Sequence, residues 1–600
     1  MISPPTPDVG HARRAPVRAD PPTPVRVVRS IDPVLAVTAV ALTAVIQLWL
    51  IGLWSADPRA MTDLGLTSLL GWPTVASLLV LTASFFFALV RRARELVLAA
   101  HVLTLILLVH GTPAVLFGTL RYAWAWKHLG IVDYILRHGS VDTTIQNLGV
   151  YHNWPGFFGA SAFLAELAGP ENLIEISIWA PVVFNVANLL ALRLLFRACG
   201  ADRTRTWLAL VFFFITTWVG QDYFSPQALG YVLYLVLIAT VLRSFRRPPR
   251  LLAVLSPTRR TALPLALVTL LLVAIAMSHQ ITPMIAFLSL AVLFAFRQTR
   301  GWYLPVIAFV AMAGWAWTGA RNYTLTNLTD LLAEFSNPVA NAQSTFDKSA
   351  TIRGAQYLVS FAGRAVIVIV VLVAIVGVVR LARRRQLDGS VLLLMLTPGA
   401  LLFLTAFGGE LLSRVFLFAS PFLSYFAAAA LTVGRRPGTR PWRVALPAVL
   451  LTSVLIPFFL LAYYGKDQQN YFTPDEVAAA QWIADNTVPG TLLVRANTNY
   501  PHDFHNYEYV RNVDISAEDE PDRERILADP AGVLSHWLDD PDHTRGFVLI
   551  TRSQKIENDS VGPMPPGAVQ RIEDALAGSA LFGEAYRNGD AVVFVLAEAP

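Results

Sequence analysis

The sequence predicts an α-helical polytopic membrane protein of about 13 transmembrane helices, followed by a small C-terminal extracytoplasmic α/β domain. Three observations predict it. Of the 600 residues, 55% are hydrophobic and 15% charged, against roughly a quarter charged in soluble domains. Apolar runs of about 20 residues, long enough to cross a ~30 Å hydrocarbon core as helices, recur from residue 32 to residue 463, and nothing comparable follows. Charge divides at the same boundary. Residues 1–463 hold 37 basic and 18 acidic side chains, a balance of +19, whereas 464–600 hold 10 and 23, a balance of −13.

Residues 1–30 carry five Arg and many Pro with no apolar core, so they read as a disordered cytoplasmic tail rather than a cleavable signal. The transmembrane domain covers 31–463. Arg clusters mark its cytoplasmic turns: "RRARE" 91–95, "RACGADRTR" 197–205, "RSFRRPPR" 243–250, "RQTR" 297–300, "RLARRR" 380–385 and "RRPGTRPWR" 435–443. Between them spans are predicted at 32–54, 67–90, 96–118, 174–197, 206–220, 226–243, 261–278, 283–297, 302–319, 356–379, 390–409, 412–433 and 443–463. Thirteen crossings put the N-terminus in the cytoplasm and the C-terminal domain outside a plasma membrane. A basic excess of this kind signals orientation in lipid, not nucleic-acid binding.

Two outer loops are long, 119–173 with interfacial helices and 320–355. Within the first, "GFFGASAFLAELAG" (156–169) is apolar but too short to span, and counting it as a crossing would invert every later Arg cluster. It is expected to lie in the outer surface. Several spans are shorter than about 20 residues, which predicts a recessed outer cavity. The lone Cys199 excludes an internal disulfide. No fixed-period repeat is visible.

Residues 464–600 change character. "FTPDEVAAAQWIADNTVPG" begins a helix with Thr473 as N-cap, Pro474 at the first position and Glu476 closing a capping box. Strands follow at 491–496, 546–553 and on either side of Asn588-Gly589, with a helix near 567–580.

Polar groups fall on the outer turns of this threading. The first long loop carries Asp133, His138, Asp142, Tyr151, His152, Asn153 and Trp154; the turn "GQDYFSPQ" carries Gln221, Asp222, Tyr223 and Gln227; "SHQITP" carries His279 and Gln280; and "GGELLSR" sets Glu410 and Arg414 four apart on one helical face. Such groups are costly beside hydrocarbon unless they face water, each other or a ligand. Carboxylates can take a proton from a hydroxyl, Arg can grip a phosphate with two hydrogen bonds, and aromatic rings can stack on sugar faces.

At these residues the sequence resembles the C superfamily of membrane glycosyltransferases, in an actinobacterial form: a span, an outer segment with an acidic residue before "ILRHG", the aromatic-His-Pro stretch "VYHNWPG", and an outer membrane-lying helix. The likeness covers roughly residues 96–500. It implies a GT-C-like fold and transfer of a sugar from a polyprenyl-phosphate-linked donor to a glycan or lipid-linked acceptor of the cell envelope, by one inverting displacement. It implies Asp133 as the base, with Asp142 in reserve, and Arg414 near the donor phosphate. The loop lacks the Asp-x-Asp pair of metal-dependent members, so a divalent metal is possible but not demanded, and no cofactor is certain.

Ordinary structural roles compete with each assignment. Asp133 could be a solvated charge on an interfacial helix, Asp142 a turn cap, His152 and His279 buried imidazoles bonded to backbone, and Glu410 and Arg414 a simple ion pair. The C-terminal stretch "NYPHDFHNYEY" (499–509) reads as a surface loop without metal-ligand spacing. No glycine-rich phosphate cradle is present to support nucleotide hydrolysis. The rival functions are a transporter or flippase for a polar lipid or glycan, which would carry polar residues at mid-span, and a non-catalytic envelope scaffold.

Overall fold

The computed structural model describes residues 3, 32–170, 173–247, 262–329, 351–403, 410–434 and 442–597. The expected tail at 1–30, residue 3 apart, and the larger part of the 320–355 loop lie outside the described residues. Each of the thirteen segments read as spans holds a helix: α1 (Pro33–Trp54), α2 (Trp72–Val90), α3 (Glu95–Phe117), then, after the loop helices α4 (Ala123–His138), α5 (Gly149–Asn153), α6 (Gly156–Ala168) and α7 (Leu173–Ile178), α8 (Ala180–Ala198), α9 (Arg203–Phe214), α10 (Pro226–Ser244), α11 (Ala262–Ser278), α12 (Ile281–Ala295) and α13 (Tyr303–Trp317). After α14 (Arg321–Thr326) come α15 (Gln356–Arg383), α16 (Gly389–Leu396), α17 (Leu411–Thr432) and α18 (Trp442–Tyr464). Among the described residues, eight of these helices are long and apolar enough to cross a membrane. The protein is a multi-pass membrane protein.

Side-chain size decides how closely the helices meet. α15 turns Ala362, Gly363, Ala374 and Gly377 inward. At Gly377 an added Cβ would lie 1.9 Å from the Phe426 carbonyl oxygen, so only glycine lets α15 and α17 cross there. Leu372, Ile375 and Val376 on the other side are exposed, as lipid-facing residues should be.

The Arg clusters gather at one end of the bundle. Glu95 pairs with Arg193 and Arg197, Arg246 with Asp388, and Arg205 reaches Thr432. At the opposite end sits the sheet. α6 behaves as a surface helix: Phe157, Phe158 and Ala162 are buried, while Phe163, Leu164 and Leu167 are exposed.

After the short α19 (Asp467–Asn470) and α20 (Pro474–Asn486), five strands pair in the order β2-β1-β3-β5-β4: β1 (Thr491–Arg495), β2 (Val510–Asp514), β3 (Arg545–Thr551), β4 (Phe582–Arg587) and β5 (Ala591–Leu596). β2, β1 and β3 run parallel; β3, β5 and β4 run antiparallel. The Thr473–Glu476 capping box forms as expected. α20 covers one face, with Ala480 and Ile483 against Leu493 and Leu549. α21 (Glu520–Ala528), α22 (Pro530–Leu538) and α24 (Ala568–Ala577) cover the other, α23 (Arg552–Val561) lying between β3 and α24 in the chain. Strand β2, "VRNVD", escaped the sequence reading because a short edge strand with alternating polar residues offers no apolar run.

Bundle and sheet are docked. Arg59 pairs with Asp590, Arg353 donates to the Asn558 and Met564 carbonyls, and Gln356 donates to the Asp63 and Gly465 carbonyls. On α4, a Cβ at Gly130 would sit 1.8 Å from the Asp503 carbonyl oxygen.

Candidate functional site

The site grows from a break in a helix. α9 stops at Phe214, short of the predicted 220, and Thr216 turns its hydroxyl back onto the Phe212 carbonyl. Residues 215–225 then run without helix until Ser225 caps α10, its hydroxyl accepting the Ala228 N–H. This irregular stretch is tolerable beside lipid because it is enclosed by protein. It sets Gln221, Asp222 and Tyr223 among α3, α8, α17 and α18.

Arg414, on the first turn of α17, is 6% exposed. Its guanidinium donates to Gln221 Oε1 at 2.6 Å, to Gln227 Oε1 at 2.9 Å and to Glu410 Oε2 at 2.8 Å. Glu410 is the open end of this group, its side chain 46% exposed. His279 takes the Thr282 N–H on Nδ1 at 3.2 Å and lies within electrostatic reach of Arg414 and His128. Gln280 sits half-buried at the start of α12.

Asp222 centres the second group. Its Oδ2 accepts from Asn185 Nδ2 at 2.6 Å and from the Tyr463 hydroxyl at 3.3 Å, and lies 2.8 Å from His110 Nδ1. Burial works to raise the Asp222 carboxyl, but the neighbouring His110 when protonated, Arg121 and the Asn185 amide outweigh it and hold the group below its usual range. Its Oδ1, the Asn188 Oδ1 and the Gln227 Nε2 are buried with no partner among the described residues. Asn185, Asn188, Thr217, Gln221, Asp222 and Tyr231 line a cavity of about 30 Å³. On the other side of the Asp222–His110 pair, His110, Arg121, Ser177, Pro181, Tyr223 and Phe224 line one of about 20 Å³. Each has room for water.

Two further features support this pair. Pro113 removes the N–H that the Val109 carbonyl would have met in α3, and the Tyr464 hydroxyl fills the gap at 2.5 Å. Arg121 is clamped to Asp467 at 2.8 and 3.1 Å, donates to the Tyr463 carbonyl at 2.5 Å, and lies 4.3 Å from the Tyr463 ring centroid. Tyr463 is thereby fixed from both ends.

The aromatic wall comes from α4 and α5. Tyr223 stacks on His128 with centroids 5.7 Å apart and planes 4° apart, and Tyr151 meets the same ring edge-on at 4.9 Å. Burial pushes the Tyr151 and Tyr223 hydroxyls well above their ordinary range. Gly156 packs on Ser278, where a Cβ would come within 2.7 Å of its hydroxyl. The stretch 150–159 therefore touches the "SHQITP" turn, as a shared wall requires.

Not every expected residue joins this chamber. Asp133 projects about 140° around α4 from His128 and meets His505 at 3.0 Å and Arg137 at 2.7 Å, Arg137 in turn gripping Glu508. His138 stacks on Tyr134 at 4.1 Å, exposed at the end of α4. Asp142 accepts from the Thr144 N–H at 2.8 Å and hydroxyl at 2.6 Å, bonds that hold its carboxyl below the usual range and make it a turn cap. His152 accepts the Asp142 N–H on Nδ1 and faces the Tyr507 hydroxyl at 2.5 Å through Nε2. Asn153 holds Trp315 and Tyr323, and Trp154 packs on Tyr323 at 5.4 Å. Arg414 lies near His279 and is bonded to Gln221 of the turn that carries Asp222, whereas Asp133 and His152 face the sheet, because helix rotation, not loop membership, decides direction.

The stretch 499–509 is corrected. Tyr500, His502 and Tyr507 are buried at the α4–sheet contact, where Arg495 binds Asp514 and His502 binds Asp503 at 2.7 Å. It is a docking segment, not a surface loop. Sequence reading also passed over His110, Arg121, His128, Asn185 and Asn188. A histidine and two asparagines inside apolar helices were a usable signal; the Arg121–Asp467 partnership, 346 residues apart, left none. Among the described residues no three His, Cys, Asp or Glu side chains form a metal-holding group.

No family model and no curated protein matches the sequence. Solved structures similar to it include the oligosaccharyltransferase of Archaeoglobus fulgidus tethered to an acceptor peptide (13% identity, 80% of this chain and 70% of that one, TM-score 0.44). Another is ArnT from Cupriavidus metallidurans bound to undecaprenyl phosphate (11%, 78% and 93%, TM-score 0.45). A third is the mycobacterial arabinofuranosyltransferase AftD, of which the match spans 36% (14% identity, 74% of this chain, TM-score 0.42). With TM-scores below 0.5 the likeness assigns this chain no activity, and the functional reading rests on its own residues.

Proposed function

We propose that the chain is a membrane glycosyltransferase that moves a sugar from a polyprenyl-phosphate-linked donor to a glycan or lipid-linked acceptor on the outer face of the plasma membrane. The observation that supports it is the Arg414 group: a guanidinium 6% exposed, held by two neutral amides and one half-exposed carboxylate, at the end of helices suited to lipid. Gln221 and Gln227 accept from it without bringing charge, and Glu410 pairs with it at 2.8 Å. A lipid phosphate that displaces Glu410 gains a two-pronged charge-assisted contact.

The sugar then extends toward Asn185, Asp222 and Asn188, the unpartnered oxygens of the last two suiting hydroxyl donors, with Tyr151, Tyr223 and His128 as a stacking wall. An acceptor hydroxyl attacks the anomeric carbon in line and polyprenyl phosphate leaves, inverting that centre. Asp133, the base implied by the family resemblance, sits in the ion cluster with Arg137 and His505; the polar group around Asp222 is the better source of the base.

The test is transfer from radiolabelled polyprenyl-phosphate sugars by the purified full chain. Arg414→Ala should lower transfer by about 10- to 150-fold, the worth of a hydrogen bond to a charged group at ~1.5–3 kcal/mol. Asp222→Asn should lower it more than Asp133→Asn. Undiminished transfer by Arg414→Ala would remove the phosphate role, and movement of the labelled lipid across vesicles without transfer would favour a flippase.

A further inference from the structure

Beyond this reading, and resting on it for the reaction concerned, we propose that His110 is the group that takes the acceptor's proton, with Asp222 as the positioning residue that fixes its tautomer. The geometry is that of an Asp–His dyad. A carboxylate supplies no hydrogen, so the 2.8 Å contact between Asp222 Oδ2 and His110 Nδ1 needs its proton on Nδ1. The Tyr463 hydroxyl, 2.9 Å from the same nitrogen, spends its own proton on Asp222 Oδ2 at 3.3 Å. Both neighbours thus require Nδ1–H, and in the neutral ring the lone pair falls on Nε2.

With Nδ1 turned to Asp222 and Tyr463, His110 lines the cavity of about 20 Å³ that Arg121, Ser177 and Tyr223 also line. His110 is 5% exposed, so the ring meets this cavity rather than bulk water. Ser177 Oγ, buried and unpartnered among the described residues, offers that cavity a second polar atom. The pair lies between the two cavities described above, where a proton acceptor would face both a sugar and an incoming hydroxyl. Tyr463 is in turn immobilised by Arg121 through its carbonyl. A nucleophile or its base, oriented by a third group held from behind, is the general pattern of such sites.

The step balances as follows. The acceptor oxygen forms its bond to the anomeric carbon while its proton passes to Nε2. The bond from that carbon to the phosphate oxygen breaks, and its electron pair leaves with polyprenyl phosphate. The resulting imidazolium is stabilised by the Asp222 anion, then returns its proton to water.

Two measurements on the full-length protein test it. In the first, protein labelled with ¹⁵N-histidine, with His110→Gln as the assigning variant, should show His110 as the Nδ1–H tautomer with an unprotonated Nε2, and Asp222→Asn should abolish that preference. An Nε2–H tautomer in the wild type overturns the dyad. In the second, His110→Ala should lose about 10²- to 10⁴-fold in kcat with KM for the lipid-linked donor changed little, and added imidazole should restore part of the rate. Retained kcat, or loss without imidazole rescue, overturns the catalytic role. Should the wild type transfer no sugar at all, the glycosyltransferase reading fails, and the tautomer measurement alone decides whether the dyad exists.

Discussion

Asp467→Asn gives the sharpest test of how the bundle and the sheet hold the site. Asp467 is 0% exposed and Arg121 6% exposed at the side chain, and the pair makes two hydrogen bonds at 2.8 and 3.1 Å. Replacing the carboxylate by an amide of the same shape keeps the volume but strands a buried guanidinium. Breaking a buried pair by removing one partner costs about 3–5 kcal/mol. The residual amide acceptor and the Tyr463 ring 4.3 Å away, a cation–π contact of about 1–2 kcal/mol when desolvated, put this case near the lower end. Arg121→Met should cost a similar amount. The double variant Arg121→Met with Asp467→Leu should recover most of the loss, since apolar replacement of both partners is often neutral or stabilising. With Asp467→Leu as the second single variant, reversible unfolding in mixed micelles, followed by tryptophan fluorescence, gives the four corners of the cycle. With each single at about 3 kcal/mol and the double near zero, a coupling of about 5–6 kcal/mol is expected. Additive single effects, or singles below about 1 kcal/mol, would show that the pair is solvated and refute the reasoning. Because Arg121 also holds the Tyr463 carbonyl, Asp467→Asn should lower transfer activity as well.

Gly130→Ala forces a methyl group against the Asp503 carbonyl, 1.8 Å from the position of its Cβ; it should cost about 1–3 kcal/mol by overpacking and raise hydrogen exchange in 500–509, and unchanged exchange would argue against tight docking. His152 is driven down to about 4 by burial, against an ordinary 6.5, so the unfolded chain binds more protons between those values and the latch to Tyr507 weakens as pH falls through that window. Exchange of 142–153 should rise at pH 5 relative to pH 7.5 and the rise should vanish in His152→Gln. Glu557 is pushed up to about 7 by burial, against an ordinary 4.5, so its contribution is full below 4.5 and is lost as pH rises to 7. Glu557→Gln should remove that part of the pH dependence of unfolding, and a variant with the wild-type profile would exclude it.

The helices and the sheet were legible for different reasons. Long apolar runs state the existence of a helix, because hydrocarbon admits backbone only as closed hydrogen-bonded helix. The capping box at Thr473 and the Asn588-Gly589 turn are local chemistry, and local chemistry survives folding. Glu410 and Arg414 likewise follow from helical spacing alone. The end of α9 at Phe214 was harder, since a run of apolar residues does not say where protein, rather than lipid, surrounds the backbone.

What the sequence determined by itself was composition, the placing of the apolar helices and the inventory of polar groups in the turns, all set by neighbours within a few residues. What the tertiary structure alone decided was which of them meet. Asp133 was set apart from Asp222 by a rotation of about 140° on one helix, and His110 was joined to Asp222 and Tyr463 across three distant segments. A buried hydrogen bond is made between directions in space, and direction is fixed only when helices have packed.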